Sequence, residues 1–273
     1  MIYNAFMVSV IIVTYNSEKF IQETILRVLK QTYNDIEIIV VDNNSKDHTL
    51  KYIKGIKNIK VIENKKNVGF AKANLQGFLI SKGEYILTLN HDAFLNSSYI
   101  QKIVEVMSKD VTIGSAQGIY YKDSKKTKID SEGIYLNFGY SANDIKKKYF
   151  GIKKVFACCA AAAIYSRSAI DDVGFFDTTF RSYYEDVDLG LRLRKEGYDN
   201  LLISSAECVH LRGSESNLRN LKYSLRNKYK LLKKHNMKKE IKIAKIYDIL
   251  KMPIYYFKNK DFIPEYIKIL RKI

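Results

Sequence analysis

The chain has 273 residues, of which 47% are hydrophobic, and it contains no tryptophan. A chain of this length and composition folds as one large domain, or as one domain with an appendage, so a disordered or fibrous protein is excluded. The formal net charge of +17 is local, because residues 218–273 hold 17 basic and 4 acidic side chains whereas residues 1–217 hold 29 basic and 25 acidic ones.

The first predicted elements are two strands joined by a helix. Residues Val8–Val13 and Ile36–Val41 are short runs of mostly β-branched side chains, which are typical of strands buried on both faces of a parallel sheet. Between them, apolar residues recur at helical spacing, at Phe20, Ile21, Ile25, Val28 and Leu29.

The same alternation continues to about residue 90. Residues Ile59–Ile62 predict a strand, Val68–Ser81 a helix that ends before Gly83, and Tyr85–Leu89 another strand. Alternating strands and helices indicate an α/β fold with a doubly wound, mostly parallel sheet. Ligands bind beyond the carboxyl ends of the strands in such sheets, so the polar residues at those ends are the first candidates for a site.

Three polar clusters follow predicted strands. They are Thr14-Tyr15-Asn16, Asp42-Asn43-Asn44-Ser45 and Asn90-His91-Asp92. A parallel sheet brings these clusters to one edge, so we expect them to share one site.

The second half of the chain has a less regular pattern. Residues 110–165 mix short apolar runs with lysine-rich turns, and this pattern does not define strand pairing. A helix is predicted from Glu185 to Gly197, because acidic side chains occupy its first turn and a glycine ends it. Beyond residue 216, the segments Ile243–Leu250 and Ile263–Ile273 predict basic amphipathic helices.

The cysteine content indicates a reducing compartment. Cys158, Cys159 and Cys208 do not form a disulfide framework, and no Cys/His spacing is typical of structural zinc. The longest apolar run, Val155–Tyr165, is shorter than the roughly 20 residues that span a bilayer, and the N-terminus lacks the pattern of a signal peptide. We therefore expect a cytoplasmic protein that can act at the inner face of the cell membrane.

Acidic side chains and one histidine form the candidate reactive set. The set comprises Asp42, Asp92, Glu185, Asp186, Asp188 and His210. Mg²⁺ or Mn²⁺ bound to a diphosphate needs few protein ligands, mostly oxygen, because the phosphates complete the coordination shell. The chain has neither a Walker loop nor a GxGxxG motif, so an ATPase or a dinucleotide enzyme is not predicted.

Several segments of the sequence resemble the successive motifs of family 2 glycosyltransferases, which are inverting enzymes of GT-A fold. Within that family the sequence is most similar to the rhamnosyltransferase-like branch. The similar motifs are Ser9–Asn16, Val40–Ser45, Asn67–Phe70, Leu89–Ala93 and Glu185–Leu189, followed by His210 and Arg226-Asn227. The resemblance covers residues 8–227. The segment Asn90-His91-Asp92 departs from the DxD pattern, since it holds one acid where that motif has two.

The resemblance implies a nucleotide-binding set. Tyr15 would lie against the base, Asp42 would hydrogen-bond the base or ribose, and the segment from Asn67 to Gly69 would let the backbone approach the nucleotide. The same set includes Thr14, Asn16, Asn44 and Asn90.

The resemblance also implies two chemical roles on separate segments. Asp92 and His210 would bind a divalent metal, Mg²⁺ or Mn²⁺, which neutralises charge on the leaving diphosphate. Asp186 is similar to the family's catalytic base, with Glu185 and Asp188 placing the acceptor or holding the base. A single displacement between the two groups inverts the anomeric configuration.

We therefore expect an inverting, metal-dependent glycosyltransferase that uses a nucleotide sugar, dTDP-rhamnose, and a hydroxyl of a surface polysaccharide or lipid-linked glycan. A UDP-hexose or UDP-N-acetylhexosamine transferase of the same fold is one alternative. A catalytically silent sugar-nucleotide-binding or scaffolding subunit is another. A nucleic-acid partner is not expected, because the candidate site is acidic and residues 1–217 are near neutral.

The expected domains are a catalytic domain over residues 1–216 and a basic helical appendage over residues 217–273. The nucleotide-binding half would cover about 1–95 and the acceptor half about 96–216. The charge and amphipathic pattern of the appendage favour contact with an anionic membrane surface. Packing on the catalytic domain, dimerisation and a lysine-rich codon usage are the alternatives.

Overall fold

The first part of the molecule alternates strands and helices, as the sequence predicts. A computed structural model of the chain describes residues 6–212, 218–258 and 262–271. The first elements are β1 (Val8–Thr14), α1 (Ile21–Leu29), β2 (Ile36–Asp42), α2 (Thr49–Lys54), β3 (Ile59–Glu63), α3 (Phe70–Ile80) and β4 (Tyr85–Asn90). Helix α2 is absent from the sequence prediction because six residues are too few to establish a helical period.

The second part holds the short strands that the pattern did not define. Its elements are β5 (Ala93–Leu95), α4 (Tyr99–Met107), β6 (Ile113–Tyr121), β7 (Ile129–Ser131), β8 (Ile134–Leu136), β9 (Ala142–Asp144), β10 (Ile152–Lys154), β11 (Ile164–Ser166), α5 (Arg167–Val173), α6 (Glu185–Lys195), β12 (Asp199–His210), α7 (Leu218–Lys234), α8 (Lys238–Lys258) and α9 (Phe262–Arg271). The predicted helix after Glu185 is confirmed as α6.

One large sheet carries both halves, in the order β10-β12-β6-β11-β4-β1-β2-β3. Strands β4, β1, β2 and β3 are parallel, whereas β11 runs antiparallel to both β4 and β6. Strand β5 pairs with the end of β12, so that Ala93 lies opposite His210. This pairing brings the residues after β4 to the end of β12.

Helices cover both faces of the sheet. One core cluster contains buried residues of α1, α2 and α4, such as Ile25, Ile53 and Ile103. The other contains buried residues of α3, α5 and α6, such as Ala73 and Leu189. The predicted doubly wound α/β architecture is therefore confirmed.

The C-terminal helices pack on the rest of the chain through α7 and, at Tyr247 of α8, on the hairpin of β8 and β9. Leu231 of α7 lies in a buried cluster with Phe180, Tyr184 and Val187, next to the start of α6. Helices α8 and α9 pack on α7 around Tyr229, and Lys228 and Tyr229 both hydrogen-bond Asp248 of α8 at 2.6 Å. The basic segment thus shares its core with the α6 region through α7.

None of the helices in the described ranges combines the length and the apolar character needed to cross a bilayer.

A buried charge cluster joins α6 to α7. The carboxylate of Asp188 is fully buried and lies 2.8 Å from Arg192, 2.9 Å from Lys234 and 2.9 Å from His235. Burial opposes ionisation, but these partners outweigh it and hold the pKa of Asp188 below its usual range. The ionised carboxylate is therefore part of the packing between the two helices.

Gly69, at the start of α3, occupies a position that excludes larger side chains. Its φ is 89°, and an added Cβ would lie 2.5 Å from Cγ and 2.7 Å from the carbonyl oxygen of Arg181. The N–H of Ala71 donates to the same carbonyl at 3.1 Å. The start of α3 therefore packs directly on the backbone at Arg181.

Replacing Asp188 by Asn is expected to lower the free energy of unfolding by about 3 kcal/mol, because it leaves buried cations without their counter-charge. The check is denaturant unfolding at neutral pH. Since the folded-state pKa of Asp188 is lowered, this stabilisation is present above the unfolded pKa and is lost as pH falls through the folded pKa. Glu196→Gln, at the exposed end of the same helix, is the control, and an equal loss in both variants would contradict the assignment.

Replacing Gly69 by Ala is expected to lower the free energy of unfolding by about 2 kcal/mol or more, through left-handed strain and overlap with Arg181. Gly151→Ala is the matched control, because Gly151 has a φ of 82° but nothing within 4 Å of an added Cβ. Chemical denaturation of both variants separates strain from overlap. Equal losses would show that the contact with Arg181 has no energetic weight.

Candidate functional site

The carboxyl ends of β1, β2 and β4 meet at one edge of the sheet, as predicted. In the strand register Thr14 lies opposite Asp42, and Val13 lies opposite Asn90. The three polar clusters identified in the sequence therefore converge on one region.

Asp42 organises the loop after β2. It is fully buried, and its carboxylate accepts hydrogen bonds from the hydroxyls of Thr14 and Ser45 and from the N–H of Ser45. The residue has no exposed surface in this structure, and its expected contact with base or ribose stays a prediction. Asp42 and Thr14 hold the neighbouring loops in place.

Tyr15, Asn16 and Asn44 are the accessible residues of this corner. Tyr15 and Asn16 are exposed and Asn44 is half-buried. Asn16 and Asn44 have φ values of 51° and 68°, a left-handed conformation that asparagine tolerates better than most residues. The N–H of Asn16 donates to Ser45 Oγ at 2.9 Å, which joins the two loops.

The loop before α3 closes against the Arg181 turn. Asn67 Oδ1 accepts from the N–H of Gly69 at 3.0 Å, and the carbonyl of Asn67 accepts from Arg181 at 3.2 Å. Asn43, a member of the second polar cluster, accepts a hydrogen bond from Asn64 at 3.1 Å. Asn67 and Gly69 thus lie in a fixed loop beside the loop that follows β2.

Asn90, Asp92 and His210 converge at the junction of β4, β5 and β12. His210 Nε2 lies 3.2 Å from Asn90 Nδ2 and 3.5 Å from Asp92 Oδ1. On its other side, His210 Nδ1 lies 2.9 Å from Asp130 Oδ2. Burial lowers the pKa of His210, but the hydrogen bonds with Asp130 and Asp92 outweigh it and raise this pKa.

Asp92 and His210 Nε2 could hold a divalent cation together. One carboxylate and one imidazole suit an ion whose other ligands are diphosphate oxygens. In many proteins a carboxylate accepts a hydrogen bond from a metal-binding imidazole and orients it. Asp130 is placed to do the same for His210. Within the described ranges, no group of three or more His, Cys, Asp or Glu residues is arranged to hold a metal, so the protein alone offers a partial shell.

Arg212 connects this junction to the hairpin of β8 and β9. Its guanidinium lies 2.7 Å from Asp130 and 2.6 Å from Asp144. Asp130, Asp144 and Arg212 were not selected from the sequence, because their closeness depends on strand pairing in the region that had no legible pattern.

Asp186 and Glu185 lie at the start of α6, where Glu185 is buried and Asp186 is half-buried. Asp186 accepts hydrogen bonds from the N–H groups of Ala160 and Val187, at 3.2 and 2.8 Å. Burial raises the pKa of Asp186 to about 6, and the charge of Asp144 adds to the shift. Burial and the charge of Asp186 raise the pKa of Glu185 well above its usual value. Among the described residues, Glu185 Oε2 has no hydrogen-bond partner.

The third predicted acid, Asp188, has a different environment. Its oxygens are occupied by Arg192, Lys234 and His235, so it joins α6 to α7. The expectation is that Asp188 places the acceptor or holds the base. Its burial and ion pairs favour the second role, in which it fixes the start of α6, and that role stays a prediction.

A strained turn precedes the two acids at the start of α6. Arg181, Tyr183 and Tyr184 have φ values of 64°, 67° and 74°, and each side chain makes this conformation costly. The side-chain amide of Asn227 donates to the carbonyls of Phe180, Ser182 and Tyr183, at 3.0, 2.9 and 2.7 Å. Helix α7 therefore holds the turn that sets the start of α6.

The two acidic centres adjoin the same segment. Ala160 donates its N–H to Asp186, and the next residue, Ala161, accepts the N–H of Asn90 at 2.8 Å. The segment at residues 160–161 thus connects Asp186 to the end of β4. One centre presents a carboxylate beside an imidazole, and the other presents a carboxylate whose pKa is raised to about 6.

Comparison with known proteins places this site in a family. Residues 9–174 match the sequence profile of glycosyl transferase family 2. A Haemophilus influenzae protein described as an uncharacterized glycosyltransferase is 38% identical over 148 residues, which cover 53% of this chain and 44% of that protein. The Escherichia coli protein named UDP-Glc:alpha-D-GlcNAc-diphosphoundecaprenol beta-1,3-glucosyltransferase WfaP is 34% identical over 136 residues, 49% of this chain and 54% of its own. The chain spans about half the length of these curated relatives.

Solved structures share the fold. GalNAc-T7, crystallised with UDP, GalNAc and Mn²⁺, has a TM-score of 0.69 at 18% identity, covering 85% of this chain and 48% of that chain. The mannosyltransferase PcManGT from Pyrobaculum calidifontis, in complex with GDP-Man and Mn²⁺, has a TM-score of 0.65 at 15% identity, covering 99% of this chain and 75% of that chain. The predicted GT-A-like fold is thus confirmed. Since the family profile covers more than half of the sequence, the chain belongs to glycosyl transferase family 2.

Proposed function

We propose that this protein is an inverting, metal-dependent glycosyltransferase that moves a sugar from a nucleotide donor to a hydroxyl of a surface polysaccharide or lipid-linked glycan. The observation that carries the proposal is the pair of centres on either side of residues 160–161. Asp92 and His210 lie on one side, and Asp186 lies on the other. Leaving-group stabilisation and proton removal require two such separated groups.

On the donor side, Tyr15, Asn16 and Asn44 would contact the nucleotide, within loops that Thr14 and Asp42 hold. Asn67, Gly69 and Asn90 would line the path towards the diphosphate. Asp92 and His210 would hold Mg²⁺ or Mn²⁺, which when bound neutralises the charge that develops on the leaving diphosphate.

On the acceptor side, Asp186 would act as the base. Because its pKa is about 6, most of its carboxylate is ionised at neutral pH yet still able to accept a proton. Glu185, whose pKa is raised further, would remain protonated and could donate a hydrogen bond to the acceptor or to Asp186.

The reaction is then a single displacement. The acceptor oxygen forms a bond to the anomeric carbon while the bond from that carbon to the diphosphate oxygen breaks. The hydroxyl proton passes to Asp186, and the nucleoside diphosphate departs with the bonding electrons. Attack from the face opposite the leaving group inverts the anomeric centre.

The donor follows from the motif resemblance, which favours dTDP-rhamnose and a place in the rhamnosyltransferase-like branch. A UDP-hexose or UDP-N-acetylhexosamine is the alternative, and the name of WfaP, a UDP-Glc transferase, supports it. A silent binding subunit is disfavoured by the partly unpartnered acid pair at Glu185 and Asp186, which a scaffold has no need to maintain. Three free cysteines and a nucleotide-sugar donor support action in the cytoplasm.

Nucleotide binding is expected to depend on the metal and on Asp92. Among dTDP, UDP and GDP, the cognate nucleotide raises the unfolding temperature most when Mn²⁺ or Mg²⁺ is present, because it binds only the folded state. Asp92→Ala removes the metal-dependent part of the shift. Asp130→Asn, which no longer orients His210 as a carboxylate does, weakens the apparent metal affinity by about 10- to 100-fold.

Each variant is compared with its own ligand-free unfolding temperature, so a loss of stability does not imitate a loss of binding. Asp171→Asn, an exposed acid on α5, is the control and keeps the full shift. If none of the nucleotides raises the unfolding temperature of the wild-type protein, the result favours the silent or scaffolding subunit instead.

Transfer is expected to require ionised Asp186. Asp186→Asn lowers the rate of sugar transfer or donor hydrolysis by about 10²- to 10⁴-fold and leaves the metal-dependent nucleotide shift intact. In the wild-type enzyme the rate falls about tenfold per pH unit below about pH 6, as Asp186 becomes protonated. Asp144→Asn moves this acidic limb of the pH–rate profile to lower pH, because the substitution removes a charge that raises the pKa of Asp186.

The pH profile is measured with the donor that the nucleotide panel selects. Asp110→Asn, an exposed acid after α4, is expected to keep the wild-type limb. An unchanged limb in Asp144→Asn, or full activity in Asp186→Asn, would assign the base to another residue.

A further inference from the structure

We propose that an exposed surface of α8, together with the tip of the β8–β9 hairpin, docks on an anionic lipid bilayer. This lipid-docking face is defined by Lys239, Lys242, Ile246, Ile249 and Leu250 of α8 and by Phe138 of the hairpin.

The five helical residues of the face share one side of α8. Successive residues of an α-helix are about 100° apart, which places these five side chains within an arc of about 100°. Ala244 and Asp248, which are buried against α7 and its neighbours, lie on the opposite side. The arc is therefore the side of α8 that faces away from the core.

That outward side carries large apolar residues where charged ones are expected. Ile246, Ile249 and Leu250 are 61%, 55% and 72% exposed. Isolated exposed apolar residues are common on protein surfaces, but three at helical spacing form a stripe that indicates an interaction.

The hairpin tip extends the stripe. Phe138 is 78% exposed, and the centroid of its ring lies 6.4 Å from that of Tyr247 on α8. The next residue, Gly139, packs on the same tyrosine so closely that an added Cβ would lie 2.0 Å from Cδ1. The hairpin tip and α8 thus form one continuous surface.

Its charge fits an anionic partner. Lys239 and Lys242 are exposed at the start of the stripe. The carboxylate of Asp248 points inward to Lys228, at 2.6 Å, so it does not neutralise them. Apolar side chains flanked by lysines are the composition of helices that lie in a lipid interface, where anionic headgroups attract the basic residues.

The same charge disfavours a second copy of the chain as the occupant. A two-fold interface places the same patch on both partners, so it brings together two basic segments, residues 218–273, that each hold 17 basic and 4 acidic side chains. Like charges across an interface oppose association, whereas anionic headgroups attract them.

The position of the face gives it a consequence for the acceptor, which rests on the proposed function. The hairpin that carries Phe138 also carries Asp144, whose charge acts on Asp186, and the N–H of Ala142 donates to Tyr184 Oη at 3.0 Å. Docking through this face would hold the acceptor side of the site close to the bilayer surface, where a lipid-linked glycan would lie.

The test is sedimentation of the full chain with vesicles of phosphatidylcholine alone and of phosphatidylcholine mixed with phosphatidylglycerol. Wild-type protein is expected to bind the anionic vesicles, and to lose binding as salt screens the lysines. The Ile246→Gln, Ile249→Gln, Leu250→Gln triple variant is expected to bind the anionic vesicles at least about tenfold more weakly than the wild type. Glutamine preserves the helix and removes the apolar stripe.

The matched control is Leu79→Gln with Val111→Gln, which removes apolar residues that are 72% and 86% exposed on other elements. It is expected to bind as the wild type does. Equal vesicle binding by the triple variant overturns the proposal. A second result also overturns it: the wild-type protein does not bind vesicles but forms a concentration-dependent dimer, and the triple substitution abolishes that dimer. This result would assign the face to a second copy of the chain. The nucleotide shift, measured in parallel, shows separately whether the proposed function stands.

Discussion

The geometry of the site depends on a strained turn that helix α7 holds in place. Three non-glycine residues adopt positive φ values directly before Glu185 and Asp186, namely Arg181, Tyr183 and Tyr184. Such a turn persists only where the surroundings over-determine it, and the amide of Asn227 does so by donating to three of its carbonyls. The ion pairs of Asp188 with Lys234 and His235 fix the end of the same helix, two turns further along. The proposed base therefore owes its position to a helix far along the chain.

Much of the nucleotide side could be predicted because it depends on local patterns. Continuous β-branched runs identify buried parallel strands, and parallel strands bring their carboxyl ends together. The register of Thr14 with Asp42, and of Val13 with Asn90, follows from this rule. The pattern does not show which polar residue faces a ligand. Asp42, which is expected to contact the base or ribose, is the most buried member of its cluster, and the pattern does not indicate that Thr14 and Ser45 both donate to it.

The remaining site residues were beyond prediction because they depend on contacts between distant segments. Asp130 lies on a three-residue strand, and nothing in its neighbours relates it to His210, which is 80 positions away. Arg212 meets Asp144 only because the β8–β9 hairpin folds back over the sheet. Asp188 shows the converse case, since a motif that gathers three acids does not indicate that one of them turns inward to cations of another helix.

The acids of the site differ because each has a different set of neighbours. Cations surround Asp130 and Asp188, so both remain ionised despite burial. Among the described residues, Asp186 accepts hydrogen bonds from backbone donors and interacts with two carboxyl groups, Glu185 and Asp144, so that burial raises its pKa to about 6. Arg212 lies between these environments, because it pairs with both Asp130 and Asp144. Its charge helps to lower the pKa of Asp130, beside His210, and its other end pairs with Asp144, the carboxylate whose charge raises the pKa of Asp186. One guanidinium thus contacts a carboxylate beside each of the two centres.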